Sequence, residues 1–168
     1  MSRLFALLAC ALFACAAFAQ ATDSEPLVLN VIPPFSIEKL ADLEFGIIMT
    51  TGSGTVTIDP ESGARTATGA VSVGGSDFGP AIFHTRGLPN GVARVRIRTK
   101  NVTLTQDGGT ATLRLRQLHH DLGGGNGRRH RLDENGDLVF RVGGELQIQN
   151  NQPRGRYSGT FRVETSYP

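Results

Sequence analysis

The last twelve residues alternate. Between Tyr157 and Pro168, Tyr157, Gly159, Phe161, Val163, Thr165 and Tyr167 share one parity, and Ser158, Thr160, Arg162, Glu164 and Ser166 share the other. Successive side chains of a strand point to opposite faces, so this pattern predicts a β-strand with one buried face and one wet face. Shorter alternating runs recur along the rest of the chain. Clusters of Gly, Asn, Asp and Pro separate them, and helical periodicity is nearly absent. This combination restricts the chain to an all-β fold of short antiparallel strands.

Leu27–Ile32 reads as an apolar strand that Pro33-Pro34 stops or bends, because proline cannot donate to a ladder. An extended path resumes over Phe35–Leu40. Gly54–Ile58 is a strand, and Asp59-Pro60-Glu61-Ser62-Gly63 is a turn in which proline presets φ and Gly63 accepts a positive one. Arg65–Val73 returns, interrupted at Gly69. Ala81–Arg86, Ala93–Thr99, Val102–Thr105 and Ala111–Leu118 follow as strands. His119–Leu132 is the least regular stretch. Asn135-Gly136 is a hairpin-type dipeptide, and Leu138–Val142 and Glu145–Ile148 flank Gly143-Gly144, where a bulge would fit.

Residues 1–19 read as a cleaved signal peptide. Arg3 precedes an apolar run from Leu4 to Ala16 that is too short to span a bilayer, and Ala17-Phe18-Ala19 is a small-x-small cleavage site. Residues 20–168 then form one domain exported to the periplasm, the cell surface or the medium. Both cysteines, Cys10 and Cys15, fall inside the leader. Lipid anchoring through Cys15 is the lesser alternative, because Phe13 stands where such sites carry small residues. A mature chain without cysteine must be held by its core, and a domain of roughly 150 residues buries about two-thirds of its unfolded surface. No later apolar stretch has transmembrane length, and the small net positive charge of +2 demands neither a membrane nor a nucleic-acid partner.

Few constellations carry chemistry. Arg94, Arg96, Arg98 and Lys100 share one parity of a strand and make a cationic stripe, which Arg114 and Arg116 would extend. The stripe reads either as a solvated face that protects an edge or as a site for an acidic glycan or other polyanion. No aromatic residue is interleaved, as base stacking would require, so no nucleic acid is expected. Arg128-Arg129-His130-Arg131 reads as a solvated basic loop. His119-His120-Asp121 with His130 matches no zinc spacing, so no metal or cofactor is assigned. The glycines at 123–127 lack a Walker lysine, and Gly52-Ser53-Gly54 precedes a strand where a nucleophile elbow needs a helix. No catalytic set can be named, and the expectation is a protein that is not an enzyme.

Several pieces occur together in a known order. Ile37–Gly46, Gly54–Ile58, Val102–Thr105, Asp133–Gly136, Phe140–Leu146, Asn151-Gln152-Pro153, Gly155, Tyr157–Phe161 and Tyr167 resemble the bacterial exported family called domain of unknown function 4402. The resemblance covers nearly all of the mature chain and implies fold and export rather than an activity. The C-terminus is also similar to that of chaperone–usher pilin subunits. Those share a glycine upstream of the last strand, alternating apolar residues and a penultimate tyrosine. Gly155, Phe161, Val163 and Tyr167 stand at these positions. In such subunits an immunoglobulin-like sandwich lacks one strand, and a neighbour's N-terminal extension fills the groove.

The resulting expectation is an immunoglobulin-like, pilin-like antiparallel β-sandwich acting as a surface or structural subunit. Leu27, Leu29 and Val31 alternate and are either a donor or the protein's own first strand. Gly155, Tyr157, Phe161, Val163 and Tyr167 belong to the accepting side. Partners would be copies of itself, other pilin-like subunits and a periplasmic chaperone. The alternative is a monomeric module that binds a polyanion through Arg94, Arg96, Arg98 and Lys100.

Overall fold

A computed structural model of the chain describes residues 32–98 and 102–168. The leader, the Leu27, Leu29 and Val31 segment, and Lys100 lie outside the described residues. Eleven strands form among those described. They are β1 (Ser36–Ala41), β2 (Ile47–Ile58), β3 (Arg65–Gly74), β4 (Ala81–Arg86), β5 (Val92–Arg98), β6 (Thr103–Gln106), β7 (Thr112–His120), β8 (Arg129–Arg131), β9 (Asp137–Ile148), β10 (Tyr157–Ser158) and β11 (Arg162–Ser166).

β9 organises the larger, eight-stranded sheet. Along one side it pairs with β4 from Asp137 to Val142 and then with β2 from Gly144 to Ile148; β7 runs along the other. β1 lies beyond β4, β3 beyond β2, and β6 and then β10 beyond β7. The smaller sheet has the order β11-β5-β8, and every pairing in both sheets is antiparallel. Alternation turns Val56, Ile58, Phe140, Val142 and Leu146 of the larger sheet and Val95 and Ile97 of the smaller one into a single core. Phe140 is 0% exposed and stacks on Phe83 with ring centroids 5.5 Å apart.

Four local expectations change. The terminal strand is two strands: β10 pairs with β6 in the larger sheet, and β11 pairs with β5 in the smaller one. Gly159 permits the crossing, since a Cβ there would lie 2.5 Å from the Thr103 carbonyl oxygen. The bulge expected at Gly143-Gly144 is absent. β9 runs straight through, and the register shift sits on β7 between Leu115 and Gln117. Gly143 instead serves the handover from β4 to β2, where a Cβ would meet the Ile58 carbonyl oxygen at 2.2 Å.

Asn135-Gly136 does not close a hairpin, because β8 and β9 belong to different sheets. It is an arch held by Asp133, whose carboxylate accepts the Asn135 and Asp137 amides while Gly136 adopts φ +84°. The irregular stretch is also more ordered than its composition implies. His119 and His120 end β7, and Arg129–Arg131 form β8. The glycine-rich loop between them docks on β5: the Asn126 side-chain amide accepts from Ile97 N–H at 2.7 Å and donates to its carbonyl at 2.8 Å. A side chain thus replaces one rung of ladder and closes that edge of β5.

Candidate functional site

β1 and β11 are edge strands that face each other across a cleft. Among the described residues β1 pairs only with β4, and β11 only with β5. Directly opposed residues of an antiparallel pair share a face. Ile37 is opposite Thr85, which is 0% exposed, so Ile37 points inward; yet Ile37 is 40% exposed. An inward-facing isoleucine this open means that no described element covers it. The cleft it lines has a volume of about 620 Å³. Phe83 and Val102, both buried, form its base, and Phe161 and Val163 line its β11 side. Phe161 meets Phe83 edge to face at 6.1 Å. Lys39, Arg98 and Arg162 make the rim cationic.

Of the accepting residues expected from sequence, Phe161 and Val163 line this cleft. The other three sit elsewhere. Tyr157 packs on the core at β10, donates to the Pro153 carbonyl at 2.7 Å and accepts from Gln152. Gly155 lies in the turn before β10, against Gln106. Tyr167 ties the C-terminus to the segment just before β1. Its hydroxyl donates to the Pro33 carbonyl and accepts from the Leu88 amide, both at 2.9 Å, and its ring lies 4.0 Å from that of Phe35. The residues that sequence reasoning misses are Ile37 and Phe83. The parity of Ile37 was readable, but its exposure depends on which strands flank β1.

The outer face of the smaller sheet is the second notable surface. On β5, Ala93, Val95 and Ile97 are buried, and Arg94, Arg96 and Arg98 face out. Arg114 and Arg116 do not extend this stripe. They lie on β7, on the outer face of the other sheet, where Arg114 is opposite Gln147 and Arg116 is 3.9 Å from Glu145. The strand β8 does extend it: Arg129 is opposite Arg94, and Arg131 is opposite Val92. On the other flank Arg162 is opposite Arg98, and Glu164 is opposite Arg96. Among the described residues, six arginines therefore share the face with one carboxylate. Arg98 grips Glu164 with two hydrogen bonds, at 3.1 and 3.0 Å, and these hold the carboxyl below its ordinary range; Arg162 and Arg96 add attraction.

The histidines divide as strand geometry requires. His119 is exposed and His120 buried. His130, opposite Ala93, also turns inward and meets His120 edge to face at 5.4 Å. No hydrogen bond of ordinary geometry reaches either His120 nitrogen or His130 Nε2 among the described residues, although the Gly125 backbone lies near enough to His120 to favour its charged form. The described residues hold no group of three or more His, Cys, Asp or Glu placed to hold a metal.

Burial pushes both imidazoles below their ordinary value, and His120 lowers His130 further by its proximity. The fold therefore disfavours their charged forms, while the unfolded chain takes up protons below a pH of about 6.5. The sign follows: the stability these groups contribute is full above that pH and is lost as pH falls toward their depressed folded values. A urea midpoint measured at pH 7.5 and at pH 5.5 should fall between the two. His120→Leu should flatten that difference. An unchanged difference in the variant would assign the pH dependence to other groups.

A model of the family described as "Domain of unknown function (DUF4402)" matches residues 35–167, the span from the ring that Tyr167 packs against to Tyr167 itself. No curated protein and no solved structure matches the chain.

Proposed function

The chain belongs to the DUF4402 family, and we propose that this member is an exported structural subunit whose fold is an immunoglobulin-like sandwich lacking one strand. The missing strand comes from a second copy of the chain, as residues 27–32. The observation that carries this reading is the open cleft between β1 and β11, with inward-facing Ile37 left 40% exposed. Two strand edges that no described strand pairs with, over an apolar floor, are a hazard unless something pairs with them. An added strand supplies ladder hydrogen bonds for affinity and side-chain pockets for specificity.

Three features favour residues 27–32 as the occupant. Leu27, Leu29 and Val31 alternate, so a strand of that segment presents three aliphatic side chains to one face. Asp23 and Glu25 lie just before it and suit the cationic rim of Lys39, Arg98 and Arg162. The linker favours donation in trans. Filling its own cleft would require the chain to reverse over Ile32-Pro33-Pro34-Phe35. Proline fixes φ, and the residue before a proline is held extended, so Ile32-Pro33-Pro34 prefers to run straight. Pro33 is moreover tied to Tyr167. Until assembly, a periplasmic chaperone would occupy the same edge.

The test uses a chain beginning at Pro33 and a synthetic peptide of residues 25–32. The peptide should raise the melting temperature slowly and persistently, and Val163→Arg in the shortened chain should remove the response. A shortened chain that is stable and indifferent to the peptide, or unfolded and not rescued by it, would overturn the reading.

A further inference from the structure

We propose that the outer face of the smaller sheet is a binding site for an acidic polysaccharide, built by Arg94, Arg96 and Arg98 of β5 with Arg129 and Arg131 of β8 and Arg162 of β11. This goes beyond strand donation, because the cleft and this face are different surfaces that share only Arg98 and Arg162 at their common edge.

Composition alone does not explain the face. A soluble surface is served by interspersed charges of both signs. Here two rungs place like charges directly opposite, Arg94 with Arg129 and Arg98 with Arg162, an arrangement that weakens strand pairing. Of these six arginines only Arg98 has an acidic partner within ion-pair distance among the described residues; Arg94, Arg96, Arg129, Arg131 and Arg162 have none. The outer face of the larger sheet differs. There Asp137 takes both Arg86 and His84, and Glu145 attends Arg116. Arg114 and Arg141 on that face also lack an acidic partner, so the difference is one of number: five such arginines on the smaller sheet's face against these two.

The geometry favours an extended anionic chain. Next-but-one residues along a strand are about 6.8 Å apart, and neighbouring strands about 4.8 Å apart. By these spacings each arginine has at least one neighbour within one Debye length, about 8 Å at physiological salt, so potentials sum between neighbours along the face. The one anion the face already holds, Glu164, is a planar carboxylate taken in a two-bond fork by Arg98. That is the geometry in which arginine recognises uronate and, similarly, sulfate groups. The face carries no aromatic side chain, so it offers no platform for stacked bases. Among the described residues it is also a sheet surface with no projecting helix or arm to enter a duplex groove.

The experiment uses the chain from Gln20 with heparin and polygalacturonate as probes, followed by calorimetry at 50, 150 and 300 mM salt. Binding to at least one probe should weaken steeply, with a log–log slope of about −3 or steeper if four or more cations are engaged. The double substitution R96E/R131E should cut affinity at least tenfold. R114E/R116E makes the same charge change on the opposite face and should leave affinity within about twofold, allowing for a long-range term. Melting curves check that each variant folds, and R96Q/R131Q replaces the first pair if it does not. Absence of binding to both probes overturns the proposal. So does an equal loss in the two double variants, which would reduce the effect to net charge. Tighter binding to a duplex oligonucleotide or to phosphatidylglycerol vesicles would assign the face to nucleic acid or membrane instead.

Discussion

Leu29→Asp should turn an assembling chain into a monomer. The chain from Gln20 is expected to form oligomers that survive dilution, and the variant should elute as a single small species at every concentration. The magnitude follows from burial. Seated in the cleft as proposed, Leu27, Leu29 and Val31 would together contribute roughly 5–9 kcal/mol before ordering costs, at about 1.5–3 kcal/mol for each aliphatic side chain. Replacing the central one forfeits its share and brings a carboxylate toward the apolar floor of Phe83 and Val102. Loss of about 4 kcal/mol corresponds to roughly a thousandfold in dissociation constant. The fold beyond residue 32 should be untouched, with a melting curve matching that of the chain that begins at Pro33. A parent chain that is monomeric throughout, with Leu29→Asp merely destabilising it, would place the segment in its own cleft and sink the assembly reading.

The second large effect is on stability. Phe140→Ala should lower stability by about 3–5 kcal/mol, the usual cost of emptying a buried aromatic site. Phe140 lies on the strand that carries most of the larger sheet's pairing, has no exposed surface and stacks on Phe83. The cavity cannot close easily. β9 is paired on both sides, and Gly143, three residues on, is held against the Ile58 carbonyl. Typical domains have only 5–15 kcal/mol in total, so much of the variant should be unfolded at 37 °C if the parent is near the lower end. The denaturant midpoint measures it. A change under 1 kcal/mol would mean that the core is looser than its burial indicates. Because Phe83 also floors the cleft, the same variant should weaken peptide capture in whatever fraction remains folded.

Some of this was legible without coordinates. The period of two along Ala93–Arg98 correctly sorted arginines from aliphatics, and the parity of Phe161 and Val163 correctly turned both inward. The Asp59–Gly63 turn was also readable: the Asp59 carboxylate accepts the Glu61 and Ser62 amides, and Gly63 adopts φ +71°. In each case the determinant lies within a few residues. Side-chain parity needs only the pleat, and turn chemistry needs only local backbone angles.

What sequence could not supply is partnership between distant strands. Arg128–Arg131 reads as a basic loop because nothing near it reports that β5 lies alongside. Arg114 and Arg116 look like neighbours of the stripe because sequence distance hides the change of sheet. The terminal alternation runs unbroken through Gly159, although the chain crosses there from one sheet to the other. Ile37 is inward by parity, but only the arrangement of β1, β4 and β11 leaves it exposed. By itself the sequence determined which side of each strand is apolar, since that is a local property of a two-residue repeat. The tertiary structure decided which strands are edges and which charged faces merge, because ladder pairing joins residues whose separation along the chain carries no periodic signal.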